Sequence, residues 1–418
     1  MDIATVIAAR TRFFYGWWVV FATAGIIFLC GGTFFYGFGA LFNPIVQEFG
    51  WSHAAISFAF SLRNEIGGVA APVVGFLLDR IGARRLLVAG VLLVVIGFVL
   101  LSRMNSLWSF YGSVLVISAG MAATGSPVAA TVVAHWFRRR RGRALGMLTV
   151  GAGVSGIMVL VLEHLISSFG WRSALVLVGL VQLAVALPLA LSVRDRPQEM
   201  GLQPDGDDAP PSAVPAGQGE TPAAGLTTAQ AVRTPLFWRL SIAVALAQMG
   251  ATAVIVHQIP FFTGGLGLSE SAAAAFLAAT TFVSLVGRVG FGSLTDYIGT
   301  RWVLGAAYGV QALGILLFAL LEELWQVFLV LPLFAVGFGG GIPARPAFQA
   351  QYFGLRSFGS IQGLVITVAT LGAVAGPVLA GAMYDWGESY RPAFLLLGAA
   401  NLVAVPLVAA AGRPQGGG

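Results

Sequence analysis

The chain has 418 residues, 57% of them apolar and only 10% charged, where soluble domains carry roughly 25% charged residues. With a mean hydropathy of +0.86, it has too few ionisable groups to cover a globule in water, and a soluble fold is excluded. The net charge of +6 is therefore read as orientation and headgroup contact in a membrane, not as nucleic-acid binding. The single cysteine excludes a disulfide framework.

A membrane-spanning helix needs about 20 predominantly apolar residues. Twelve stretches qualify, at about 16–40, 54–78, 86–103, 109–134, 143–166, 172–193, 238–262, 271–294, 302–321, 325–345, 358–383 and 391–411. The first is too long for the apolar core of a cleavable signal. Every one of the 23 basic residues is arginine. With both termini inside, the cytoplasmic segments hold most of them, including Arg80, Arg84, Arg85, the run Arg138 to Arg141, and Arg301. The outer loops hold only Arg103, Arg172 and Arg391, and Arg63, Arg288 and Arg345 fall within spans. This is the positive-inside bias. Residues 195–235 are rich in Pro, Gly, Ala, Ser and Asp and read as a flexible cytoplasmic linker. It separates a half at 1–194 from a half at 236–418.

The halves repeat each other. Gly75 to Arg85 reads GFLLDRIGARR, and Gly292 to Arg301 reads GSLTDYIGTR; Asp79, Gly82 and Arg84 recur as Asp296, Gly299 and Arg301, 217 positions on. Each copy is a tight hairpin at the membrane surface, where Gly turns the chain and Asp and Arg can pair or cap helix ends. Gly125-Ser126-Pro127 likewise recurs as Gly341-Ile342-Pro343. Two parallel six-helix repeats with a substrate site between them near the midplane is a transporter layout.

These hairpins resemble the signature loop of the major facilitator superfamily. The resemblance implies an all-α membrane protein of twelve transmembrane helices in two pseudo-symmetric six-helix halves. It also implies gating roles for Asp79, Arg84, Arg85, Asp296 and Arg301. A narrower resemblance, to the monocarboxylate transporters and the oxalate/formate antiporters, is carried by Tyr15-Gly16-Trp17-Trp18, Phe42-Asn43-Pro44, Glu48-Phe49-Gly50-Trp51-Ser52 and His257-Gln258-Ile259-Pro260-Phe261. In that group an Arg of helix eight pairs with the substrate carboxylate, and Arg288 stands at that position. The animal members carry an Asp four residues before it, where this chain has Ser284. The lysines that some members use in helices one and eleven have no counterpart here.

Arg288 stands out without any family argument. It lies eight residues before Asp296, about 12 Å at 1.5 Å per residue, close to the centre of a ~30 Å apolar core. A guanidinium at that depth needs a polar cavity or a partner, and its fork suits a carboxylate. The alternative is a structural Arg held by a neighbouring acid or by carbonyls. Arg63 is either a second anion contact or part of an outer charge network with Glu65. His257 and Glu65 are the candidate proton carriers. His257, hydrogen-bonding the substrate, and Tyr36 are further binding candidates; a packed histidine is the bland reading of the former. Gln349, Gln362, Phe334 and Phe338 stand beside the substrate pathway or simply pack. Gly151, Gly153 and Gly156 match GxGxxG inside a span, with no strand before them, so helix packing explains them better than a dinucleotide. Gly372 and Gly376 read the same way.

The expected function is secondary active transport of small organic anions, foremost monocarboxylates, by alternating access, with H+ as a coupling ion. An anion exchanger, an exporter of non-anionic solutes or drugs, and a non-transporting sensor are the alternatives. No catalytic constellation, cofactor, metal or nucleic-acid partner is implied. The chain is expected to be a monomer in the inner membrane, with both termini cytoplasmic.

Overall fold

The computed structural model describes residues 13–207 and 225–412, with side chains except at positions 36, 53, 54, 57 and 60–69. Twelve long helical segments follow one another. They are α1 (Tyr15–Phe49), α2 (His53–Ile81), α3 (Ala83–Ser102), α4 (Leu107–Trp136), α5 (Arg141–Phe169), α6 (Trp171–Ser192), α7 (Pro235–Leu266), α8 (Glu270–Leu294), α9 (Thr300–Phe318), α10 (Leu324–Phe353), α11 (Phe358–Gly387) and α12 (Arg391–Ala409). Among the described residues, eleven of these are long and apolar enough to cross a membrane; α2, with 29 residues, is the twelfth long helix. Several run past the apolar stretch that announces them. α10 continues through Pro343 and Pro346 to Phe353, because a helix in a bundle can satisfy the carbonyls a proline frees through its neighbours.

The chain divides into two compact units. The first comprises Met1–Arg139, Leu148–Pro222 and Phe358–Gly363; the second comprises Arg140–Met147, Ala223–Ser357 and Leu364–Gly418. The first turns of α5 thus belong to the second unit, and the first turns of α11 to the first.

In the first unit, α1 is α-helical to Cys30, widens to a π-helix over Gly31–Tyr36, tightens to a 3-10 helix over Gly37–Leu41 and resumes at Phe42. Four glycines in nine residues make this cheap. At Gly32 any side chain would collide with the Ser155 carbonyl and Met158, where α5 has its own 3-10 turn, Ser155–Ile157. Gly151 approaches the Ala24 carbonyl in the same way, so the first glycine of the GxGxxG pattern serves helix packing, whereas a Cβ at Gly156 would meet nothing within 4 Å. Gln182, in a π-turn of α6, donates to Thr33 at 2.7 Å. Around these turns Phe34, Phe38, Phe98, Phe110 and Trp171 form the apolar core. α4 breaks at Gly125, which is extended (φ −73°, ψ 173°), and restarts at Ser126-Pro127. The break places Pro127 in a first turn, where its missing N–H costs nothing.

The segment after α6 is not loose where it is described. It forms turns at Pro197–Met200 and Pro204–Gly206. Asp195 accepts from the Arg84 N–H at 2.8 Å, and Asp205 accepts from the N–H groups of Arg138 and Arg139 at 2.9 and 2.8 Å. Composition suggested a flexible tether from Asp195 onward. Carboxylates that satisfy exposed backbone donors hold residues 195–207 against the first unit instead.

In the second unit, glycines again set helix separations. Gly287 meets the Val336 carbonyl, Gly339 the Ser284 carbonyl, Gly314 the Phe334 backbone and Gly337 the Gln311 backbone. Gly372 and Gly376 of α11 meet the carbonyls of Ala245 and Met249 of α7. Phe262, Phe318, Phe334 and Phe394 fill the core between these helices.

Candidate functional site

Arg288 is placed in the second unit by two glycine contacts on α8 and one facing it. Gly287 brings α8 onto α10, and Gly292 brings it onto Gly142 and Gly146 at the start of α5. Gly146, in turn, sits against the Arg288 carbonyl. Arg288 itself is buried, with 7% of its surface exposed. Ser284, which stands where an acid would reach it one turn away, instead donates to the Thr281 carbonyl at 2.6 Å. On α7, Gln258 is fully buried and donates to Thr280 of α8 at 3.1 Å; its polarity alone did not distinguish it in the sequence.

His257 is held at both ring nitrogens. Nε2 lies 2.9 Å from the Pro377 carbonyl and Nδ1 lies 3.2 Å from the Tyr390 hydroxyl. The neutral tautomer that satisfies both donates from Nε2 and accepts at Nδ1. One turn away, Thr252 donates to the Ala373 carbonyl at 2.9 Å, the acceptor left without its helical partner because Pro377 has no N–H. His257, half-buried, therefore sits in the seam of α7, α11 and Tyr390, with both ring nitrogens engaged in helix packing. Tyr36 ends the π-turn of α1, and Arg63 and Glu65 lie on α2; their side chains fall outside the described part of the structure.

The hairpin acids have a different use from pairing with the hairpin arginines. Asp79 accepts from the N–H groups of Gly359 and Ser360, at 3.1 and 2.9 Å, and from the Ser360 hydroxyl. Asp296 accepts from the N–H groups of Gly142 and Arg143, at 2.6 and 3.0 Å. Each carboxylate thus caps the first turn of a distant helix, α11 and α5 respectively, where unsatisfied N–H groups and the helix dipole favour negative charge. Arg84 contributes its backbone N–H to Asp195, Arg301 donates to the Ala411 carbonyl at 2.8 Å, and Arg85 is exposed.

Phe334 and Phe338 are stacked at 6.0 Å within the core of the second unit; they pack. Gln349 is fully buried, and neither its amide nitrogen nor its oxygen has a partner. Such a group costs about 1–3 kcal/mol if left so. Arg345, one turn before it on α10, also has a buried Nε with no hydrogen-bond partner. In the first unit, a cavity of about 440 Å³ is lined by Gly39, Ala40 and Asn43 of α1 and by Val159, Glu163, Ile166 and Ser167 of α5.

The profile of the Major Facilitator Superfamily matches residues 24–296 and again 259–415. The chain belongs to that superfamily. It is a transporter by family, not an enzyme. Among its relatives in the superfamily, human monocarboxylate transporter 11 is 29% identical over 405 residues, covering 92% of this chain and 80% of the relative. The oxalate:formate antiporter of Oxalobacter formigenes is 22% identical over 380 residues, covering 89% and 87%. The major facilitator fold is also seen in solved structures. The human organic anion transporter MFSD10 superimposes with a TM-score of 0.71 at 14% identity, covering 93% of this chain and 98% of that one. The E. coli fucose:proton symporter gives 0.69 at 15%, covering 93% and 97%.

Proposed function

We propose that this major facilitator protein is a secondary active carrier of small organic anions, foremost monocarboxylates, and that Arg288 binds the carboxylate. The observation that carries the reading is a buried guanidinium within a membrane-spanning helix: Arg288 lies about three-quarters of the way along α8, between the close contacts of Gly287 and Gly292. An ionised side chain costs at least ~2.5–3.5 kcal/mol at such a depth, so it is kept there by what it binds. The relatives support the substrate class by what they are named to carry: monocarboxylates, oxalate and formate. Alternating access follows, with the bound anion supplying the differential free energy between states. The cell membrane, cytoplasmic termini, a monomeric state, joining of the halves by the segment after α6, and gating by the two hairpins complete the reading.

The test is uptake of labelled lactate or pyruvate into proteoliposomes. Arg288→Gln is expected to abolish uptake while leaving the thermal unfolding of the protein intact; uptake retained in R288Q removes Arg288 from the site. H+ symport, through His257 or Glu65, predicts uptake driven by an inward proton gradient. The oxalate:formate antiporter's similarity favours a second reading, exchange, in which uptake ignores that gradient and requires anion inside.

A further inference from the structure

We propose that Arg345, with Gln349 and the Tyr308 hydroxyl, forms a second binding position for the carboxylate of a small organic anion, toward the C-terminal end of α10 from Arg288. The proposal rests on the reading of Arg288 as the first position. Gly341, Arg345 and Gln349 are spaced four apart and so lie along one face of α10. Tyr308 of α9 lies against that face: a Cβ at Gly341 would stand 3.0 Å from its ring. The Tyr308 phenol and the Arg345 guanidinium are near enough to interact electrostatically. Tyr308 is 4% exposed and Gln349 fully buried.

These groups are rich in donors and poor in acceptors. Arg345 has a buried Nε without a partner and, among the described residues, no ion pair; Gln349 has both amide atoms unpartnered. A guanidinium, a phenol O–H and an amide N–H together suit an anion and repel a cation, and the planar fork suits a carboxylate. Unsatisfied buried groups in a native protein call for a functional occupant or water, and arginine within a span marks a substrate path before it marks packing.

The position is separate from Arg288. α8 meets α10 where Gly287 approaches Val336 and Gly340, one residue from Arg288. Arg345 is five residues beyond Gly340, about 8 Å along the helix. An anion leaving Arg288 along α10 thus meets a second guanidinium before the helix ends at Phe353.

The experiment uses the full-length protein, with lactate as the probe. Thermal unfolding in detergent reads binding, and uptake of labelled lactate into proteoliposomes reads transport. Arg345→Gln is expected to keep lactate-induced stabilisation, through Arg288, but to lose about ten-fold or more in uptake rate, with Arg345→Lys intermediate. Gln349→Leu is expected to unfold at a higher temperature, since an orphaned amide is removed, yet to transport several-fold more slowly; a glutamine that only packs predicts the gain without the loss. Wild-type uptake in R345Q overturns the proposal, as does wild-type uptake in both R345K and Q349L if R345Q does not fold. Loss of lactate stabilisation in R345Q also overturns it, because the anion would then have one position and not two. Arg288→Gln tests the first reading separately: lactate stabilisation retained in R288Q defeats that reading, whatever R345Q does.

Discussion

Asp296 accepts the backbone N–H of Gly142 at 2.6 Å, so a carboxylate at the end of α8 caps the helix that begins at Arg141. Asp79 does the same for the helix beginning at Phe358, through Gly359 and Ser360. The glycine four residues before each acid completes the device. Gly292 lies against Gly142 and Gly146, and Gly75 lies against Gly359 and Ser360. A side chain at either glycine would hold the helix end away from the acid.

Replacing either acid with Ala is therefore expected to lower stability by about 1–2 kcal/mol, the usual worth of a cap with its charge. Asp→Asn, which keeps an acceptor and loses the charge, is expected to cost less. Gly142→Ala should match or exceed D296A, because its Cβ would strike Thr295 and Asp296. Unfolding temperatures in detergent check the order; an unchanged D296A would show that the cap contributes nothing.

Gly372 and Gly376 are expected to tolerate no side chain. Each faces a carbonyl of α7, and forcing the helices apart costs about 1–3 kcal/mol per site. Gly264, with nothing within 4 Å of its would-be Cβ, is the internal control. Monodisperse yield of G376A and G264A measures the contrast, with loss expected only in the former.

Arg172 gathers several partners at one end of the first unit. It donates to Glu48 at 2.6 Å and to the carbonyls of Ser102 and Met104 at 2.7 and 3.2 Å, and it lies over the Trp171 ring. The ion pair is largely exposed, so by itself it is worth well under ~1 kcal/mol. The carbonyls need the fork: Arg172→Lys is expected to destabilise more than Glu48→Gln. Equal shifts in unfolding temperature would mean that the ion pair is the whole effect.

His257→Ala leaves the Pro377 carbonyl and the Tyr390 hydroxyl without this partner, and a loss of about 1–3 kcal/mol is expected on unfolding. The same variant separates the two proton candidates. Uptake in H257A that still follows an imposed proton gradient assigns the proton elsewhere, with Glu65 the next residue to replace; uptake indifferent to the gradient assigns it to His257.

The membrane setting, the helix-rich fold and the superfamily were legible from residues alone, because lipid imposes a length and an apolarity on each span and because the Gly75–Arg85 pattern recurs. The burial of Arg288 in a span was legible for the same reason: charge is costly where apolar residues surround it. What pairs with what was not. That Asp79 caps α11 and not its own hairpin, that Asp205 strips the linker's first residues of their freedom, and that His257 is bound at both nitrogens depend on residues between 66 and 281 positions away. Nor did Arg345 and Gln349 declare themselves as a pair, since spacing puts two residues on one face but only the packing of α9 against α10 decides whether their polar atoms find partners. Hydropathy is a property of each segment by itself; satisfaction of a hydrogen bond is a property of two segments brought together, and only the tertiary structure brings them.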